Sequence, residues 1–265
     1  MVSHALGRTG LGVALQVLLK PIMRANWLFL LVLFPDLAAQ AADVCNPADL
    51  VGPYAFQLTG STDISGTPKP AVSLGRISFD ERGSLSGTAS ATFRGLLLGN
   101  PVTGSYEAKS DCSVTWTLRD DSGGLQNFSG TLSSDATSLP FTQTDPGSAQ
   151  RGIMKKIPGT CSAADLQKQY YFTASGSTTP MLPGQVPHTV SAKGAVDISR
   201  NGSFQVESDC SVSFGLTLPP PGGQEVDQPS PMNMRGFLVN GGKEILAFQT
   251  DPGAMVSARF TSDGR

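Results

Sequence analysis

Apolar and polar positions alternate in short runs along this chain, and the runs recur. Val114-Thr115-Trp116-Thr117-Leu118 places apolar side chains on one face and hydroxyls on the other, and Val212-Ser213-Phe214-Gly215-Leu216 repeats the arrangement. Tyr54, Phe56 and Leu58 alternate with Ala55 and Gln57, as Tyr170 and Phe172 alternate with Tyr171 and Thr173. A period of two is the mark of a half-buried β-strand. In the first half the pattern predicts eight strands, at about 54–60, 72–80, 84–94, 104–110, 112–119, 126–133, 138–144 and 149–156. After residue 50 no stretch keeps helical spacing for three turns without Gly or Pro.

The alternation belongs to a duplication. Gly104-Ser105-Tyr106-Glu107-Ala108-Lys109-Ser110-Asp111-Cys112-Ser113-Val114 returns as Gly202-Ser203-Phe204-Gln205-Val206-Glu207-Ser208-Asp209-Cys210-Ser211-Val212. Cys45, Asp49, Leu50, Tyr54, Phe56 and Gly60 are echoed by Cys161, Asp165, Leu166, Tyr170, Phe172 and Gly176. Thr144-Asp145-Pro146-Gly147 is echoed by Thr250-Asp251-Pro252-Gly253. Repetition in the same order predicts two copies of one architecture, at 42–157 and 158–265. Eight antiparallel strands close most simply into a barrel, which leaves no free edge. The expected fold is therefore all-β: two tandem antiparallel up-and-down β-barrels of about eight strands each. The second repeat is one regular strand short, so its barrel is expected to be irregular or partly open. Parity would then make 178–187, rich in proline, an additional irregular pass, and 219–231 a long top loop.

Strand direction assigns the connections to two ends. Those at 61–71, 95–103, 120–125 and 145–148 fall at one end, which becomes a mouth, and tight turns at 80–83, 110–112 and 134–137 form a base. Both cysteines of the first repeat fall at the base. Among three possible connectivities the repeat favours Cys45 with Cys112 and Cys161 with Cys210, pinning residues 45–53 as a floor. No C-x-x-C spacing suggests a metal site.

Residues 1–41 read as an export signal whose true start is Met23. Arg24 precedes the apolar run 27–34, and Ala39-Gln40-Ala41 offers a cleavage site. Its removal leaves sixteen basic and twenty acidic residues, a net charge of −4 that does not attract nucleic acid. The expected location is periplasmic or extracellular, with membrane contact only through that signal.

Candidate chemistry is sparse. After residue 41 the chain holds one histidine, His188, so no imidazole site is shared by the repeats. Asp145 and Asp251 lie in Thr-Asp-Pro-Gly turns, Asp111 and Asp209 adjoin the base cysteines, and Asp49 and Asp165 suit caps of a short helical turn at 47–50 and its counterpart. No nucleophile elbow, phosphate loop or calcium loop is present, and neither an enzyme nor a cofactor is expected. The aromatic residues Tyr54, Phe56, Trp116, Phe128, Tyr170, Phe172, Phe214 and Phe248 fall on apolar strand faces that point inward in a small barrel. They either fill its core or line a site for one small molecule.

The Tyr-x-Phe first strand, the Gly-x-hydrophobic second hairpin and the Asp-Cys-Ser turn resemble small secreted bacterial β proteins with lipocalin or calycin-like barrels, with Tyr54 where lipocalins carry tryptophan. The resemblance implies a binding scaffold without naming a ligand. The leading expectation is an exported, non-enzymatic protein that binds a small apolar molecule or an envelope partner at the loop-bearing ends. The alternative is a structural or adhesive envelope module with packed interiors, contacting protein or glycan. An outer-membrane barrel and a carboxylate enzyme rank below both: the strands are short for a bilayer, and no converging acid pair is visible.

Overall fold

The computed structural model describes residues 45–263 except 65, 94–95, 180–185, 187, 199, 201 and 218–231. The expected export segment, the 219–231 loop and most of 178–187 lie outside the described residues. The first repeat contains β1 (Gly52–Ile64), β2 (Thr67–Phe79), β3 (Ser84–Phe93), β4 (Leu96–Ala108), β5 (Ser113–Asp120), β6 (Leu125–Thr131), β7 (Ser138–Gln143) and β8 (Ala149–Lys156). These eight strands pair in chain order, and β8 returns to β1, closing an antiparallel barrel. The second repeat contains β9 (Gln169–Thr178), β10 (His188–Asp197), β11 (Gly202–Val206), β12 (Ser211–Leu216), β13 (Met232–Val239), β14 (Glu244–Gln249) and β15 (Ala254–Thr261). They form one open sheet in the order β10-β9-β15-β14-β13-β12-β11.

Among the described residues the second repeat has no counterpart of β3. Seven antiparallel strands leave edges β10 and β11 running the same way, so an antiparallel ladder cannot join them. The additional pass expected from 178–187 is not needed to reach β10. Thr178 pairs with His188 and Gln169 with Asp197, so β10 descends directly beside β9.

Two of the expected long top connections are instead strand. β1 and β2 stay paired to Ile64 and Thr67, and β3 and β4 to Phe93 and Leu96. The prolines of these ribbons occupy edges. Pro68 and Pro70 of β2 lie beyond Ala71, where the pairing with β3 ends, and Pro101 of β4 lies beyond Val102, where the pairing with β5 ends. A strand with one free side tolerates a residue that has no N–H to donate. The mouth is therefore rimmed by two projecting ribbons.

At the base, disulfides join Cys45 to Cys112 and Cys161 to Cys210. Cys112 and Cys210 adopt positive φ of 67° and 69°. The neighbouring aspartates hold these turns: Asp111 Oδ1 accepts from the Ser113 N–H at 3.0 Å, and Asp209 Oδ1 from the Ser211 N–H at 2.9 Å. The segment after Cys45 forms one 3-10 turn, Pro47–Leu50, with the Asn46 side chain accepting from the Ala48 N–H. It carries Leu50, fully buried, in the floor of the barrel. Asp165 caps the matching turn through the Ser162 N–H at 2.7 Å. The repeated Gly60 and Gly176 have φ of 138° and 153°, and a Cβ there would lie 2.2 Å from the Ala149 oxygen and 2.0 Å from the Met255 oxygen. Only glycine allows that approach of β1 to β8 and of β9 to β15.

The two sheets share a buried seam. Outward-facing Ala55, Val72 and Leu74 of the barrel belong to the same apolar cluster as Leu246, Phe248 and Met255 of the open sheet. The Gln57 side-chain amide crosses it, donating to the carbonyls of Ala247 at 2.6 Å and Ala258 at 2.9 Å. Glu244, 4% exposed, meets Lys155 from the first repeat at 3.8 Å and Arg259 at 2.6 Å. All of Glu244 to Phe248 is buried, one face toward the interior of its own sheet and the other toward the barrel.

Candidate functional site

The first barrel encloses a cavity of about 330 Å³. Its volume originates in β2 and β3. Register places Ala71, Ser73 and Gly75 opposite Phe93, Ala91 and Ala89, so small residues dominate this side of the wall. Across from them, Trp116, Phe128 and Phe141 supply an aromatic wall, and Phe56 of the neighbouring β1 lies over Gly75. Trp116 stacks on Phe128 with centroids 5.4 Å apart and meets Phe141 at a steep angle at 5.1 Å, a favourable arrangement of ring quadrupoles. The base is shut by the disulfide, Leu50 and Tyr54. The Tyr54 hydroxyl donates to the Ala136 carbonyl at 2.7 Å, and burial pushes its pKa well above the usual value.

Three side-chain atoms of the lining residues lack partners within the protein, and one of them, Thr92 Oγ1, belongs to a residue paired with outward-facing Val72 and so stands on the outer face of β3. The Trp116 Nε1 and the Gln150 Oε1 are both buried without a hydrogen bond. The rest of Gln150 is fixed: its Nε2 donates to Gln143 Oε1 at 2.9 Å, and Gln143 Nε2 donates to Asp145 Oδ2 at 2.8 Å. Asp145 also accepts from the Asn127 N–H at 2.9 Å and the Asn127 amide at 2.7 Å. Burial pushes the Asp145 pKa up, but these donated bonds outweigh it and hold the carboxyl below its ordinary value. The repeated Thr-Asp-Pro-Gly turn is therefore more than a turn: it clamps the start of β6. Asp251 makes the matching bonds to Asn233 and Gln249.

The mouth is mixed. Leu98 lines the cavity while 51% exposed, and Leu97 and Leu125 are also large exposed apolar residues of the strand ends there. Asp120 lines it as well, but its carboxylate is committed to its own turn through the Ser122 hydroxyl at 2.6 Å and the Gly124 N–H at 2.8 Å. The Ser122 bond is the largest of the effects that hold its pKa down. No lysine, arginine or histidine is among the lining residues.

The eight aromatic residues singled out in the sequence are divided by the structure. Phe56, Trp116 and Phe128 line the cavity. Tyr54 and Tyr170 are base pins, their hydroxyls donating to the Ala136 and Gly242 carbonyls. Phe172 and Phe214 lie in the packed interior of the open sheet, where Phe204, Phe214, Phe260 and Phe172 form a continuous row of ring contacts. Phe248 does not point inward. It pairs with Arg235 and Ser257, so it occupies the opposite face from Phe172, buried against the first barrel. Aligning the Asp-Pro-Gly turns without a gap places Ala247, not Phe248, opposite Phe141. His188 begins β10 in an exposed position. Among the described residues no three metal-ligating side chains converge, and no helix is long and apolar enough to cross a membrane.

No protein-family model matches the chain. No curated protein matches it either. Among solved structures, it is similar to the vaccine antigen transferrin binding protein B from Haemophilus parasuis Hp5, with 8% identity, 79% of this chain and 75% of that chain covered, and a TM-score of 0.25.

Proposed function

We propose that the chain is an exported, non-enzymatic binding protein that holds one small, largely apolar molecule in the first barrel, with the second repeat as a packed brace. The observation that carries this reading is the 330 Å³ cavity, closed at the disulfide end and lined by Phe56, Trp116 and Phe128. It is about twice the ~150 Å³ apolar cavity that accepts one benzene. Two disulfides and no free cysteine among the described residues support an oxidising compartment. The packed ring row of the second repeat gives a structural role to that half of the molecule.

Trp116 is the only tryptophan after residue 41, which makes the cavity its own reporter. Native mass spectrometry of the protein purified from its host should find one copurifying small molecule per chain, and naphthalene should change Trp116 fluorescence saturably. Neither result, from folded protein, would leave the structural or adhesive reading in its place.

A further inference from the structure

Resting on that binding reading, we infer that the first barrel selects a neutral, largely apolar molecule bearing a hydroxyl or an N–H, in preference to an anionic amphiphile such as a fatty carboxylate. A buried polar atom without a partner is costly, and an occupant that supplies the missing bond recovers that cost. On inward positions the cavity presents two such atoms of opposite kind, the unpartnered Thr92 Oγ1 lying on the outer face of β3. Trp116 Nε1–H can only donate, and Gln150 Oε1 can only accept, its own amide nitrogen being engaged by Gln143. They lie on different parts of the wall, β5 and β8. An occupant satisfying both needs an oxygen or nitrogen to accept from Trp116 and an O–H or N–H to donate to Gln150.

Charge narrows the class further. A carboxylate brought inside would lose its hydration with no cationic side chain in the lining to offset it, and would pass the Asp120 carboxylate at the mouth. It would also present only acceptors to Gln150 Oε1, a lone-pair contact with no proton between. A neutral alcohol or amide meets neither obstacle. The half-exposed Leu98 gives its apolar part a continuous path from the rim to the aromatic wall.

The test uses three probes of matched length and isothermal titration calorimetry on the full mature chain: decanol, its isomer methyl nonyl ether, and decanoate at neutral pH. Decanol should bind about tenfold tighter than the ether, which cannot donate, and more than tenfold tighter than decanoate. Gln150→Leu should erase the preference for alcohol over ether, whereas Trp116→Phe should leave that preference in place. Equal binding of all three probes, or tighter binding of decanoate, overturns the inference and leaves the apolar-cavity reading standing. Absence of binding by every probe overturns that reading and this one together. If Gln150→Leu fails to fold, the ranking on the unaltered protein decides alone.

Discussion

Replacing Ala91 with leucine distinguishes an open interior from a filled one by the sign of a stability change. Ala91 lies on β3 opposite Ser73 and lines the cavity, so three added carbons would extend toward the Trp116 side of the barrel. At ~0.8 kcal/mol per buried methylene, filling unoccupied apolar space stabilises the fold by up to about 2 kcal/mol. For a chain of this size that corresponds to a rise in Tm of about 4 to 8 °C. In an interior already packed to native density the same substitution forces neighbours off their rotamers and costs about 1 to 3 kcal/mol. The two cases differ by several kcal/mol and in sign. Urea unfolding and differential scanning calorimetry on ligand-stripped protein measure it, and decanol affinity should fall in the same variant as the cavity shrinks. A loss of 1 kcal/mol or more, with decanol affinity unchanged, would refute the cavity as the binding volume.

Three further outcomes follow from other contacts. In a double-mutant cycle of Lys155→Met and Glu244→Gln, unit charges 3.8 Å apart attract by about 4 kcal/mol at an effective dielectric of ~20, and desolvation reduces this to a measurable coupling of about 1 to 2 kcal/mol. A coupling near zero by urea unfolding would mean that the repeats do not share this seam in solution. Removing the first disulfide with Cys45→Ser and Cys112→Ser together should cost about 4 kcal/mol from the chain-entropy relation for a separation of 67 residues, read by the same unfolding experiment. Asp145, whose carboxyl is held below its ordinary 3.8, contributes stability that is present above that value and lost as pH falls below it. Acid unfolding of Asp145→Asn should accordingly show a shallower loss below about pH 4 than the unaltered protein. Equal slopes would remove the clamp role.

Alternation and the duplicated segments were enough to read the strands of the first repeat, because most inward positions are apolar and the base turns carry their own Asp and Gly chemistry. The connections expected at 61–71 and 95–103 are largely strand, because β1 with β2 and β3 with β4 continue as two-stranded ribbons beyond the pairing with their other neighbours. The second repeat's topology was harder, since parity counts strands without revealing which one is absent. The site was legible in part. Trp116, Phe56 and Phe128 carried an aromatic signal, whereas the space they face depends on Ala71, Ser73, Ala89 and Ala91, small residues that resemble any exposed strand face until register sets them inward. Asn127 and Asn233 carry a sequence signal of their own, since each stands 18 residues before the aspartate it binds. Phe248 lies on the face opposite to the one expected, since Ala247 and not Phe248 corresponds to Phe141, and a shift of one reverses every side chain of a strand.

β14 is apolar on both faces, and this decides whether the duplicated halves can be separated. A polypeptide cut after residue 157 would present Leu246, Phe248 and Phe237 to water along a continuous strip, with the Glu244 carboxylate stripped of its lysine counterion. The repeat in the sequence counts two units, but their apolar surfaces form one cluster, so neither sheet covers its own outer wall without the other.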